Sequence, residues 1–191
     1  MINEVIYKKY LVLDNFLSNQ EYNHIKETVL SDIFPLYHCK VVVDKKDTFF
    51  KDNKNYINST QFFHTFYDNK KINSDFYYDI GSYVLNKINL NLELIRAKVN
   101  IKFLTMNTNQ NSFDSPHIDY DGEHISAIYY INHTDGDTFL FKNNGDILKR
   151  ISPKANRLLI FKGGIIHAAG FPINYDHRCI INYVFKLWQN K

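Results

Sequence analysis

The chain has 191 residues, 45% of them apolar and 16% aromatic, with a formal net charge of +3. That length fits one domain, 1–191, and its 14 Tyr and 15 Phe lean toward β-structure, where aromatic side chains fit the pleated surface. The charge forms no basic block, so neither a nucleic-acid partner nor a membrane surface is indicated. Cys39 and Cys179 are too few for a disulfide framework or a cysteine-type zinc site, no apolar run approaches the roughly 18 residues of a membrane span, and the opening MINEVIYKKYLVLDNF lacks the cleavage signature of a secretory leader. A reducing cytoplasmic setting is the expectation.

In chain order, VIYKKYLVL at 5–13 reads as a strand. SNQE at 18–21 matches a capping box, with Ser18 as cap and Glu21 reaching back, and Tyr22, Ile25, Val29 and Leu30 follow at helical spacing. CKVVV at 39–43 reads as another strand. The segment 44–60, DKKDTFFKDNKNYINST, has no clear period and is either a flap over a site or a surface loop. Asn73 or Ser74 caps a second helix running to about Asn89, with Phe76, Ile80, Tyr83, Val84, Leu85 and Ile88 as its buried stripe.

From about residue 92 the texture changes. LELIRAKVNIKFLTM, ISAIYYIN, TFLF, ILKRI, NRLLIF and CIINYVFKLW are short apolar or alternating runs, separated by turn signals such as DG at 121–122 and 135–136, NNGD at 143–146 and GG at 163–164. About seven closely spaced strands with tight turns indicate a β-sandwich or barrel over 92–188. The helices of 1–91 precede them, so they buttress one side of a β-core in an α+β arrangement rather than alternating with the strands.

The stretch SPHIDYDG at 115–122 carries the chemistry. In extended backbone His117 and Asp119, two apart, point the same way, and an imidazole beside a carboxylate suits a divalent metal. For the third ligand, His167 in GGIIHAAG stands out, because Ala168, Ala169 and Gly170 leave room beside it. Eleven positions on, Arg178 heads the apolar run RCIINYVF, where an unpaired guanidinium is costly unless it meets an anion. Two His and one carboxylate form the facial triad of non-haem Fe(II) oxygenases. Three protein ligands on one face leave positions for a chelating co-substrate and O2, and Arg178 fits as a clamp for the far carboxylate of 2-oxoglutarate.

HID at 117–119, AIYYIN at 127–132, DGDTFLF at 135–141, PKANRLLIF at 153–161, His167 and HRCIINY at 177–183 together resemble the Fe(II)/2-oxoglutarate dioxygenases. Within them the chain is similar to the small prolyl-4-hydroxylase-like branch of bacteria and phages. The resemblance covers roughly 92–188, and DNFLSNQEYNHI is loosely similar to that branch's N-terminal region. It implies a double-stranded β-helix (jelly roll) with helices against the major sheet, and Fe(II) held by His117, Asp119 and His167. It further implies 2-oxoglutarate bound by Arg178 with help from Tyr130 and Asn182, O2 as oxidant and ascorbate as a supporting reductant. The activity implied is hydroxylation of an unactivated C–H, prolyl-4-hydroxylase-like, on a peptidyl or free amino-acid substrate. Two departures bear on that substrate. LTMNTNQN stands where the branch often has a second co-substrate Tyr, and DGDT replaces its GG-x-T.

Other readings stay open at this level. A cupin-like jelly roll could hold a metal or ligand without turnover, and an oxygenase could act on a small metabolite or a modified nucleobase. His124, His133 and His177 read as surface residues or neighbours of the site, and Asp121 and Glu123 as turn polarity. Cys179, facing away from Arg178, reads as a small buried hydrophobe.

Overall fold

The computed structural model describes residues 2–88 and 92–187. Helix α1 (Ile2–Lys8) and strand β1 (Tyr10–Leu13) replace the continuous strand expected over 5–13. Lys8 pairs with Glu4 one turn back at 2.8 Å, which supports the helix, and Lys9 adopts φ 73°, a left-handed residue that ends it.

Helix α2 (Asn19–Val29) starts as its capping box predicts. Ser18 Oγ accepts from the Glu21 amide at 3.3 Å, and Glu21 accepts from the Ser18 amide at 2.9 Å. Strand β2 (Tyr37–Cys39) is shorter than the strand expected over 39–43 and lies earlier. Its partner β3 (Gln61–Asp68) begins opposite Cys39, so residues 40–43 have no strand to pair with. β3 itself was not anticipated, because FFHTFYD has no clean alternation. The short β4 (Lys71–Ile72) folds back on it.

The second helix is also shorter than expected. A π-helical turn (Tyr77–Gly81) runs into α3 (Ser82–Ile88), while the expected end at Asn89 lies outside the described residues. Trp188, at the end of the last expected strand, lies outside them too.

Seven strands follow: β5 (Glu93–Phe103), β6 (His124–Tyr130), β7 (Thr138–Phe141), β8 (Ile147–Ile151), β9 (Arg157–Lys162), β10 (His167–Ala169) and β11 (His177–Lys186). They join the earlier ones in two antiparallel sheets. The larger has the order β1-β9-β6-β11-β5-β3-β2, and the smaller β10-β7-β8. Long-range pairing of this kind is the jelly roll that the resemblance implied.

Alternation along the strands decides where each core sits. On β11, Cys179, Ile181, Tyr183 and Phe185 turn outward and pack with Ala97, Val99 and Ile101 of β5 under Ile25, Val29, Ile80, Val84 and Ile88 of the helical layer. Ile128, Tyr130, Leu159, Phe161 and Ile180 turn inward and meet Leu140 and Ile151 of the smaller sheet. The helices therefore make the larger sheet rigid from behind, while its inner face is free to carry chemistry. Among the described residues no helix is long and apolar enough to cross a membrane.

Candidate metal centre and its cavity

The inner face of β5 presents Arg96, Lys98, Asn100 and Lys102 to a cavity of about 390 Å³ between the two sheets. Their apolar neighbours Ala97, Val99 and Ile101 face the helices, so one alternating stretch, RAKVNIK, builds a core on one side and a cationic floor on the other. The same cavity is lined by His117, Asp119, His167, Arg178, Thr138 and Asn182, a size within the usual range for small-molecule sites.

His117 lies on no long strand. A single antiparallel bridge ties its backbone to His167, each amide donating to the other's carbonyl at 3.0 Å. His167 sits on the three-residue β10, which pairs with β7. The imidazole centroids are 4.6 Å apart. Nε2 of His167 is 3.4 Å from Asp119 Oδ2, and Nε2 of His117 is 3.8 Å from Asp119 Oδ1. One ligand atom from each of the three can be chosen so that all lie within 4.8 Å of one another.

The surroundings fix which atoms point inward. His117 Nδ1 donates to the Ser115 carbonyl at 2.8 Å and His167 Nδ1 to the Ile165 carbonyl at 3.3 Å, leaving each Nε2 free as a lone-pair donor toward the centre. Asp119 accepts from Arg96 Nη2 at 2.7 Å, Ser126 Oγ at 2.7 Å and Asn182 Nδ2 at 3.3 Å. Burial alone would raise the Asp119 carboxyl, but the facing His167, His117 and Arg96 hold it well below the usual carboxylate range. Burial lowers His167 to about 4. An ionised carboxylate and a neutral imidazole are the forms that bind a metal. With imidazole nitrogens tethered and the carboxylate hydrogen-bonded from outside, the residues present fit a divalent first-row ion such as Fe(II).

Arg178 is 3% exposed. Its Nε donates to the Gly136 carbonyl at 2.7 Å and its Nη2 to Thr138 Oγ1 at 2.8 Å, and it makes no ion pair among the described residues. Gly136 suits this close approach, because a Cβ there would meet Arg178 Cδ at 3.0 Å and the backbone of Phe171 and Pro172 at 3.1 Å, forcing them to shift. The guanidinium is thus aimed and unneutralised in the same cavity as the His–Asp–His cluster.

The other two residues expected to bind co-substrate occupy different places. Tyr130 is fully buried and does not line the cavity; its hydroxyl shares a 2.7 Å hydrogen bond with Thr138 Oγ1, and its ring lies 5.7 Å from the Arg178 guanidinium. It packs behind Thr138 and Arg178. Asn182 lines the cavity beside Asp119 rather than beside Arg178. Cys179 is buried on the helical side. His124 is buried and donates to the Gly122 carbonyl at 2.7 Å; His133 and His177 do not line the cavity. Asp121, read as turn polarity, does line it.

Sequence reasoning missed Arg96, Ser126, Thr138 and the Lys98–Lys102 floor. The strict alternation of RAKVNIK, with a cation at every second position but one, was the available signal. It also missed how residues 44–60 sit. They are tied down beside the cluster, Phe49 donating to the Pro116 carbonyl at 2.8 Å and Ile57 to the Phe113 carbonyl at 2.9 Å. Ser59 and Lys102 both donate to Asp114 Oδ2, three residues before His117.

No protein-family model and no curated protein matches the sequence. Solved structures do match its fold. A 2OG-Fe(II) oxygenase family oxidoreductase from Burkholderia pseudomallei superimposes with a TM-score of 0.69 at 10% identity, over 96% of this chain and 88% of that one. The fold is that of the Fe(II)/2-oxoglutarate oxygenases. A prolyl hydroxylase from Trichoplax adhaerens, solved with a hypoxia inducible factor peptide fragment, gives 0.63 at 15% identity over 97% and 86%. A Pseudomonas putida prolyl-4-hydroxylase gives 0.57 at 15% identity, over 97% of both chains. At such identities the oxygenase fold is what is shared, and the chemistry has to be argued from the site.

Proposed function

We propose that the chain, acting as one domain over 1–191, is an Fe(II)- and 2-oxoglutarate-dependent dioxygenase that hydroxylates an unactivated C–H, prolyl-4-hydroxylase-like, on a peptidyl or free amino-acid substrate. The observation that carries this reading is Arg178: a buried guanidinium without a carboxylate partner, in the same cavity as the His117–Asp119–His167 cluster. A fold that merely holds a metal has no use for it, whereas a dicarboxylate co-substrate bound at the metal through one end needs its other end neutralised.

In this mechanism His117, Asp119 and His167 hold the iron. Iron, 2-oxoglutarate and O2 together supply the oxidising power, with ascorbate keeping the metal reduced. The chain's own residues do the rest. Ser115 and Ile165 carbonyls hold the imidazoles in the right tautomer; Arg96 and Ser126 aim the carboxylate. Gly136 and Thr138 fix the Arg178 fork, with Tyr130 behind Thr138, so that the co-substrate is bound in one orientation. The segment 44–60 is pinned along 113–116 and contributes Asp47 to the cavity lining. Free thiols at Cys39 and Cys179 suit the cytoplasmic setting proposed for it.

Anaerobic titration of the Fe(II)-loaded protein with 2-oxoglutarate tests this. A metal-to-ligand charge-transfer band that is weakened in Arg178→Ala and lost in His117→Ala supports the oxygenase. No band in the wild-type protein favours the cupin-like binding module instead.

A further inference from the structure

Resting on that oxygenase reading, we infer that the primary substrate is a small anion, and that Lys98 is the specificity-determining residue that pairs with its carboxylate or phosphate.

Charge matching within the cavity leads to this. Four cations line it; the carboxylates of Asp47 and Asp121 line it too, but both residues are exposed and neither forms an ion pair with these cations. Arg96 is paired with Asp119 and Lys102 with Asp114; Arg178 is taken by the distal carboxylate of 2-oxoglutarate. Lys98 remains. Its Nζ makes no hydrogen bond and no ion pair among the described residues; it lies 5.7 Å from the centroid of the Phe63 ring and feels the charges of Arg96, Asp119 and Asp68. Beside it on the same strand face, Asn100 Oδ1 is buried without a hydrogen-bond partner. A half-buried cation and a buried acceptor left open side by side carry a cost, and both costs are relieved by one ligand carrying an anion and a donor.

Position supports the same assignment. Lys98 lies two residues from Arg96 on β5 and opposite Asn182 on β11, and both of those side chains contact Asp119. An anion held at Lys98 therefore places the rest of a small molecule next to the metal cluster. Burial and the neighbouring Arg96 lower Lys98 to about 8, which an incoming anion reverses. An internal prolyl residue of a peptide offers no such charge, whereas a free amino acid or a phosphorylated metabolite does.

The test uses the full chain, loaded with Fe(II) under anaerobic conditions and saturated with 2-oxoglutarate. Melting shifts and equilibrium dialysis are read against free amino acids, their carboxamides, small phosphomonoesters and a capped prolyl peptide. The expected result is that at least one carboxylate or phosphomonoester binds, its neutral counterpart about tenfold more weakly or worse. That preference disappears in Lys98→Met and is kept in Lys98→Arg, each checked for a cooperative melting transition. The carboxylate and phosphomonoester arms tell the two sources of anion apart. Equal binding of neutral and anionic forms, tightest binding by the capped peptide, no bound anion at all, or a preference that survives Lys98→Met each overturns the assignment. If 2-oxoglutarate itself fails to stabilise the wild-type protein, the oxygenase reading falls first; if it stabilises and no anion preference is seen, only the role of Lys98 falls.

Discussion

His117 and His167 hold each other in register through two reciprocal backbone hydrogen bonds of 3.0 Å, so the imidazoles converge because their main chains are bridged. Truncating either ring removes a nitrogen of the candidate metal site while leaving that bridge in place. His167→Ala is therefore expected to fold with unchanged secondary structure and to lose metal affinity by more than the roughly 10–100-fold typical of losing a supporting hydrogen bond. Ser126→Ala, which takes one donor from Asp119, should fall within that range. Equilibrium dialysis against Mn(II) or Fe(II) checks the order; equal losses in both variants would contradict it.

Arg178 uses two separate nitrogens on two separate acceptors, Gly136 O and Thr138 Oγ1. Lysine keeps the charge but has no planar fork to satisfy both and still meet a carboxylate. Losing one charge-assisted hydrogen bond costs about 1.5–3 kcal/mol, so Arg178→Lys should weaken 2-oxoglutarate by about tenfold or more with metal affinity little changed. Parallel titrations of metal and co-substrate measure both; an unchanged 2-oxoglutarate affinity would remove Arg178 from the clamp.

What could be read from sequence, and what could not, follows from where the information lies. The capping box at Ser18–Glu21, the strand texture after residue 92, the His117–Asp119 pair, the small neighbours of His167 and Arg178 at the head of an apolar run are all local patterns. Strand β3 and the end of β2 depend on pairing: β2 stops at Cys39 because β3 supplies no residue beyond Gln61, which nothing near Cys39 encodes. Tyr130 and Asn182 were indicated by the family resemblance, and both do face inward. Which neighbour each meets, Thr138 or Asp119, is set by the packing of β7 and by the HxD segment crossing the sheet.

The two buried groups of the metal cluster titrate in different windows. Burial holds His167 near 4, below the 6.5 of a free imidazole. Between those values the unfolded chain takes up the proton and the folded one resists it, so stability falls as pH drops through 6.5 toward 4. Asp119, held low, contributes stability that is lost only below the ordinary carboxylate range, on the other side of that window. Melting temperatures of the metal-free protein should decline from pH 6.5 to 4.5 and drop again at lower pH. His167→Asn should flatten the first decline and shrink the second, because His167 is one of the groups that hold Asp119 low.

Asn156 ties the N-terminal segment to the larger sheet. At φ 60° it occupies the left-handed region; its Oδ1 accepts from the Leu17 amide at 2.8 Å and the Tyr129 hydroxyl at 2.9 Å, while its Nδ2 donates to the Leu17 carbonyl at 2.9 Å. Asn156→Ala leaves these buried groups unpaired, at about 1–3 kcal/mol each, and keeps the strained backbone. Asn156→Gly relieves only the strain. Urea unfolding should rank wild type above Gly and Gly above Ala; an Ala variant within 1 kcal/mol of wild type, roughly the effect of an ordinary surface change, would refute the hub role.

Lys102 and Asp114 form a buried ion pair that Ser59 completes, its hydroxyl 2.7 Å from Lys102 Nζ and 2.9 Å from Asp114 Oδ2. Lys102 also sits close enough to Arg178 to feel its charge. Removing the carboxylate alone strands two cations in a desolvated space, and breaking a buried pair in this way typically costs about 3–5 kcal/mol. Replacing both partners with apolar residues removes the stranded charge, so Asp114→Leu combined with Lys102→Met should recover most of the stability that Asp114→Ala loses. Denaturant unfolding of the single and double variants gives the coupling directly. Additive losses would mean that the pair does not act as a unit, and the attachment of residues 55–60 to the approach of His117 would then have to rest on its backbone hydrogen bonds alone.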